Sequence, residues 1–500
     1  MQCNKIDSKN ASAEVLSVDK SEVGNKARKG VKWAGLQIIL RNFLSLGTTA
    51  ILARLLSPSD FGLVGMVATL TALLSVFSDM GLSWATIQKK QLSTIQVSNL
   101  FWINTFVGGV LWGVCIVSAS NVANFYNQVE LINITIALGA GFLLSGLAAQ
   151  PIALLNRSMN YKAVAQIEIF AMVVGAVAAL ISAFNDFGYW ALVVQSLVNQ
   201  FMRAILALLI SQISLSKPQR NVGTKSLIQF GGLLAINGLL IYFARNFDSI
   251  LIGKYWGIED LGYYNRAYFL MLLPSMLATG ILTKLMVPSL SALQGDKERF
   301  GNAYRRSLRM VAFFGCPMAL GLLLTVDEMV LLVYGEEWQP VIPMLMWLGI
   351  ASITQPLYNT TGWLFTAAGK AKSYLWLTVI SGLVLVIAFF IALPSGALGI
   401  ARAYGLVMGL IIFIPAMWLA HKVAGLNFRQ SCSYVFPVFL CLVGMAITVI
   451  GIDYFVGTLD FSWQLKLATK IAVGVFSYSF LALIFMKSFI KKELFSMFNK

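Results

Sequence analysis

Two stretches set 200 residues apart decide how this chain is read: ILARLLSPSDFG at residues 51–62 and LIGKYWGIEDLG at residues 251–262. In each, an apolar run ends at one basic residue, Arg54 or Lys254, and a tight gap leads through Asp60 or Asp260 into the next apolar run. A second pair, Gln150-Pro151-Ile152 and Gln355-Pro356-Leu357, superimposes with a shift of 205. Both matches join apolar runs that are six runs apart, so they define one register. The chain reads as a duplication of two six-helix lobes in parallel orientation, since six is even.

Working outward from these stretches, fourteen apolar runs are long enough for a bilayer, from Trp33–Leu56 to Leu465–Met486. A crossing takes about 20 mostly apolar residues. The expected fold is an all-α integral membrane protein with about 14 transmembrane helices, two pseudo-symmetric six-helix lobes and two C-terminal helices. Its parts are a basic tail (1–32), an N-lobe (33–215, spans one to six), a C-lobe (216–425, spans seven to twelve) and the last two spans with a terminal tail (426–500). The composition agrees: 58% of residues are hydrophobic and 12% are charged, about half the charge of a soluble domain.

Lysine and arginine crowd every second gap. The leading tail and the even-numbered gaps hold 27 of the 37 basic residues, and the intervening gaps hold three, Arg54, Lys254 and Lys466. Basic residues near short loops stay on the cytoplasmic side, which predicts two cytoplasmic termini. The net charge of +16 then belongs to an inner face beside anionic lipid, and no nucleic-acid partner is expected. Some thirty polar residues precede the first apolar run, so that run is not read as a cleavable signal.

Seven basic residues fall inside the spans: Arg41, Arg203, Arg245, Arg266, Lys284, Arg402 and Lys470. An ionised group at mid-span costs about 2.5–3.5 kcal/mol on insertion scales, so one that remains faces a partner or a wet cavity. On the first span Gln37, Arg41, Ser45 and Thr48 share an arc of about 80° at 100° per residue. On the seventh, Asn237, Arg245 and Asp248 share a similar arc, and the 200-residue register lays Gln37 over Asn237. This predicts a central cationic cavity lined by both lobes. Arg41, Arg203, Arg245, Gln37 and Asn237 are the candidate substrate ligands, and an arginine fork suits phosphate oxygens or an acidic sugar. Arg245 has Asp248 three residues on as an alternative partner, and Glu168 is placed either to pair with an arginine or to take up a coupling ion.

Other short features have plainer readings. Ser59, Asp60, Glu259 and Asp260 are placed to cap the helices that follow. Pro151 and Pro356 remove a backbone donor inside a span, either bending the helix or serving as a hinge. Trp190, Tyr255, Trp256, Tyr334 and Trp338 fit an interfacial aromatic belt, with sugar stacking as the other reading. Asp79, Asp327, Glu328 and Asp453 are read as solvated or interfacial, and His421 as solvated. The five cysteines show no metal spacing, no GxxxxGK[ST] phosphate loop occurs, and no catalytic residue, metal or cofactor is expected. H+ or Na+ coupling through Glu168 or Asp248 stays open.

PIALLNRSMNYKA (151–163), GYWALV (188–193), and QPLYN (355–359) with Gly369-Lys370 resemble the Wzx-type polysaccharide and O-antigen flippases of the multidrug/oligosaccharidyl-lipid/polysaccharide exporter superfamily. The resemblance spans Lys32 to about Lys492 and looks closest to exporters of colanic acid or capsular exopolysaccharide. It implies a V-shaped, two-lobed transporter in the bacterial inner membrane that moves undecaprenyl-diphosphate-linked oligosaccharides to the outer leaflet by alternating access. Its implied partners are that glycan lipid, membrane lipids and a polysaccharide polymerase or assembly machinery. A MATE-type drug or cation antiporter and a lipid II flippase share the plan and stand as alternatives; a membrane enzyme is the third class, and the short outer gaps speak against it.

Overall fold

The structure, a computed structural model, describes residues 23–78, 81–89, 92–219, 242, 246–457 and 461–491. Among these residues the chain is all helix, connected by turns and short loops. The helices are α1 (Val23–Ala53), α2 (Pro58–Ser78), α3 (Leu82–Gln88), α4 (Thr94–Tyr126), α5 (Leu131–Arg157), α6 (Tyr161–Phe184) and α7 (Trp190–Ser211). They continue as α8 (246–255), α9 (Gly257–Ala292), α10 (Lys297–Leu324), α11 (Val326–Val333), α12 (Val341–Ala367), α13 (Ala371–Ala392), α14 (Gly396–Leu406), α15 (Phe413–Val423), α16 (Phe428–Gly457) and α17 (Trp463–Phe485). A π-helical turn, Val407–Ile412, joins α14 to α15.

Among the described residues, 11 helices are long and apolar enough to cross a membrane. One of them is the continuous run Ala371–Val423, which covers two of the fourteen expected spans. The expected eighth is the 36-residue α9. The expected seventh, Leu227–Gly253, lies mostly outside the described residues. The protein is a multi-pass, all-α membrane protein.

The chain divides into two compact units: residues 1–48 with 55–246, and residues 49–54 with 247–500. Within the first, α5 is the hub, packing on α2, α3, α4 and α7. Within the second, α12 takes the equivalent place, packing on α9, α10, α14 and α15. The two hubs carry the repeated Gln-Pro pairs, so the sequence repeat and the packing repeat coincide. α16 and α17 pack on each other and on α10 and α11.

Helices in lipid gain little from apolar burial against each other, so close packing of small residues holds them together. α4 and α5 meet through Gly108 and Gly146, one on each helix. A Cβ at Gly146 would stand 2.5 Å from the Asn104 carbonyl oxygen, and one at Gly108 would collide with the Phe142 carbonyl. In the second unit, α10 crosses α12 at Gly315, where a Cβ would lie 2.9 Å from Pro356.

Helix starts differ from the expected caps at both α2 and α9. Ser57, one residue before α2, is the cap: its N–H and hydroxyl donate to Asp60 Oδ2 at 2.9 and 2.7 Å. Asp60 thus closes a capping box, with Pro58 as the first helical residue. Ser59 takes no part in these bonds. α9 begins after Trp256 without a side-chain cap, and Glu259 and Asp260 sit in its first turn, where the helix dipole favours them.

The α4–α5 seam yields a paired prediction. Gly108→Val should lower the apparent Tm and the monodisperse yield, by about 1–3 kcal/mol of overpacking. Gly109→Val, where a Cβ meets nothing within 4 Å, should match the parent in fluorescence-detected size exclusion.

Candidate functional site

Polar groups that the helices hold among apolar neighbours define the candidate site, and each unit contributes its own set. In the first unit, α6 starts at the Asn160 cap, whose side chain accepts the Ala163 N–H at 3.2 Å, and Glu168 follows two turns in. Across from it on α7, Arg203 donates from Nε to Glu168 Oε1 at 2.8 Å. The two helices can close here because Gly175 leaves only 2.9 Å between a would-be Cβ and the Gln195 carbonyl oxygen. The pair is only partly covered, with side-chain exposures of 32% for Arg203 and 27% for Glu168. Only Nε of the guanidinium is engaged, and among the described residues the two terminal nitrogens have no acceptor. A planar cation, fixed at one edge and open at the other, is suited to an incoming oxyanion.

α1 carries the remaining first-unit candidates. Gln37 and Ser45 are half-buried, Thr48 is buried and Arg41 is exposed. Among the described residues Arg41 forms no ion pair.

In the second unit, Asp248 on α8 is 3% exposed. Its Oδ2 accepts the Tyr264 hydroxyl at 2.6 Å, and its Oδ1 accepts the Ser249 N–H at 2.7 Å. Nearby, Tyr268 and Tyr404 join hydroxyl to hydroxyl at 3.2 Å, linking α9 to α14. Asn237 and Arg245 lie outside the described residues.

Pro151 and Pro356 sit inside α5 and α12, which run through them. The glutamines before them sit in polar contacts that tie the hub helix to its neighbour, directly for Gln150 and by way of Asn359 for Gln355. Thr86 of α3 donates to Gln150 Oε1 at 2.8 Å. Gln355 donates to Asn359 at 3.1 Å, and Asn359 in turn donates to Ser275 of α9 at 2.8 Å. Arg157, in the stretch that carried the resemblance, donates to the carbonyls of Thr86 and Lys89 at 2.7 and 2.6 Å. It therefore satisfies the C-terminal carbonyls of α3.

Sequence reasoning missed an ion cluster in which Lys470 and Glu328 are buried and Asp453 is half exposed. Lys470 on α17 donates to Glu328 Oε1 of α11 at 2.7 Å and to Asp453 Oδ1 of α16 at 2.8 Å. Lys470 and Glu328 are 6% and 7% exposed, so Glu328 is not solvated and Lys470 does not snorkel to water. The signal in the sequence was a span lysine facing two span-end acids, which only the packing of three helices brings together. His421 is likewise buried, donating from Nδ1 to the Met417 carbonyl at 2.7 Å and held edge-on to Tyr304 and Phe428. Trp338 is fully buried and donates from its indole to the Ala53 carbonyl at 2.8 Å, and Tyr334 is 1% exposed. Neither belongs to an interfacial belt. Among the described residues no group of three or more His, Cys, Asp or Glu side chains forms a metal site.

Comparison with known proteins places these features. A family model described as "Polysaccharide biosynthesis protein" matches residues 51–343. The teichuronic acid biosynthesis protein TuaB of Bacillus subtilis is 27% identical, over 90% of this chain and 94% of its own length. The lipopolysaccharide biosynthesis protein WzxC of Escherichia coli is 24% identical, over 85% and 87% respectively. Among solved structures, the lipid II flippase MurJ in an inward closed conformation superimposes with a TM-score of 0.72, covering 91% of this chain and 99% of its own, at 14% identity. At that identity the likeness shows the fold alone, an architecture of many membrane-spanning helices.

The ion cluster predicts non-additive stability. Lys470→Met alone leaves Glu328 buried without its cation and should cost about 3 kcal/mol. Adding Glu328→Gln should recover much of the lost thermal stability in a double-mutant cycle.

Proposed function

The chain belongs to the polysaccharide biosynthesis protein family, and from that premise we propose that it carries lipid-linked oligosaccharide repeat units across the bacterial inner membrane for exopolysaccharide, capsule or lipopolysaccharide assembly. The carried molecule is an undecaprenyl-diphosphate glycan, both termini face the cytoplasm, and the protein catalyses no bond-making step. The observation that carries this reading is Arg203: a cation retained inside a membrane bundle, steadied by Glu168 through one edge and open along the other.

The physical problem is lopsided. The isoprenoid tail is at home in hydrocarbon, so only the diphosphate and the sugars need a path. A diphosphate is costly to desolvate unless cations replace its water. Arg41, Arg203 and Arg245 supply those cations, and Gln37 and Asn237 offer amide donors and acceptors to sugar hydroxyls. Alternating access of the repeats then exposes the head group on the other side, with Pro151 and Pro356 as the points where the hub helices flex. Glu168 and Asp248 are the carboxylates assigned to H+ or Na+ coupling. A drug or cation antiporter would instead need a carboxylate open to its cargo, whereas Glu168 is already engaged by Arg203 and Asp248 by Tyr264 and Ser249.

Charge exchange separates substrate binding from mere structural pairing. Arg41→Ala, Arg203→Ala and Arg245→Ala should each reduce surface polysaccharide at matched protein levels, by about tenfold or more for loss of one charge-assisted contact worth about 1.5–3 kcal/mol. Arg203→Glu combined with Glu168→Arg keeps the ion pair but should leave export low. Full export by this swapped pair, or by all three alanine variants, would refute the assigned roles.

A further inference from the structure

One end of the second unit gathers cations from several chain segments. α10 opens with a basic run from Lys297 to Arg309, α15 ends at Lys422, α16 begins at Phe428-Arg429, and the turn after α17 carries Lys487. Specific contacts hold these segments side by side. Arg305 donates to Gln430 Oε1 at 3.2 Å, and Arg309 donates from Nε to the Tyr434 carbonyl at 2.7 Å. The Arg309 guanidinium also lies 3.7 Å from the centre of the Tyr434 ring and 5.4 Å from that of Phe489. These two arginines are thereby used as struts, while Lys297, Arg299, Arg306, Lys422, Arg429 and Lys487 are exposed. The described acids of these segments are Asp296 and Glu298, and Asp296 is committed to capping α10 and to Arg299 at 3.3 Å.

The patch borders an apolar surface. Phe436 and Phe439 on α16, and Phe480, Leu483 and Ile484 on α17, are exposed large apolar side chains that begin within two turns of the basic end. Trp418 is 49% exposed, and the Lys422 ammonium lies 4.9 Å from its ring centre. A tryptophan beneath a lysine is the arrangement favoured at headgroup depth, where a ring sits among chains and a charge reaches the phosphates.

We propose that this end of the second unit binds the phosphodiester headgroups of anionic phospholipids from the surrounding bilayer, as a site separate from Arg41, Arg203 and Arg245. The chemistry favours a lipid over a soluble anion because the cations ring a surface that acyl chains already cover. It favours a net-negative headgroup over a zwitterionic one because the patch offers few carboxylates to an ammonium.

Native mass spectrometry of the full chain, loaded with equimolar phosphatidylglycerol and phosphatidylethanolamine, tests the assignment independently of transport. The parent should retain phosphatidylglycerol preferentially. Lys422→Gln, Arg429→Gln and Lys487→Gln together should cut that preference by ~10-fold, and the single changes by ~2–3-fold each. Lys254→Gln with Lys466→Gln, near the end of α8 and in the first turn of α17, should leave it intact. Excess inorganic phosphate should not displace the lipid. Equal retention of the two lipids by the parent, an undiminished preference in the triple and single variants, or displacement by inorganic phosphate would each overturn the proposal.

Discussion

An ionised side chain inside a bilayer must find a partner or water, and that requirement shapes this molecule more than any other. Lys470 meets it completely, with two carboxylates from two other helices and almost no exposure. At the very end of α5, Arg157 satisfies the carbonyls that end α3. Arg203 meets it only in part, with Glu168 along one edge and about a third of its side chain uncovered. A retained but incompletely neutralised charge lowers stability without obvious structural return, and that is the ground on which we propose Arg203 as a working group.

The same constraint explains why the fold is built by repetition. A hub helix that packs on several neighbours must place its few polar groups against partners fixed on them, and a solution found once serves twice. α5 and α12 each carry a Gln-Pro pair; Gln150 bonds Thr86 of α3 directly, whereas Gln355 bonds Asn359 within α12, and Asn359 makes the bond to Ser275 of α9. Glycines at the crossings let backbones approach where lipid gives no hydrophobic incentive. Packing by contact rather than by burial leaves large apolar side chains outward along α16 and α17, ready for acyl chains.

Much of this was legible from residues alone. Long apolar runs and their lysine rhythm gave the membrane class and the spans, because hydropathy over a 20-residue window is a strong signal. The Gln150-Pro151 and Gln355-Pro356 repeat falls on α5 and α12, the helices with the most packing partners in their units. What the sequence hid were contacts made across helices far apart in the chain. Glu328, Asp453 and Lys470 sit more than a hundred residues from first to last, and nothing in their local spacing announces a triad. Trp338 and His421 looked like boundary residues by position, yet neighbouring helices bury both, which a one-dimensional profile cannot foresee. Arg203 and Glu168 were each visible as span charges, and their pairing required α6 and α7 to close at Gly175. The cap of α2 went to Ser57 rather than Ser59 because Pro58 fixes the first helical residue.

The account turns on whether an uncovered intramembrane arginine serves an anionic lipid head. The most direct measurement reconstitutes the purified protein in vesicles that contain a fluorescent polyprenyl-diphosphate oligosaccharide, and follows how fast the inner-leaflet glycan becomes accessible to an external lectin. Parent vesicles should expose it well above the rate of protein-free vesicles, with Arg203→Ala close to that background. Equal rates for the parent protein and empty vesicles, across an imposed H+ or Na+ gradient of either sign, would contradict the account.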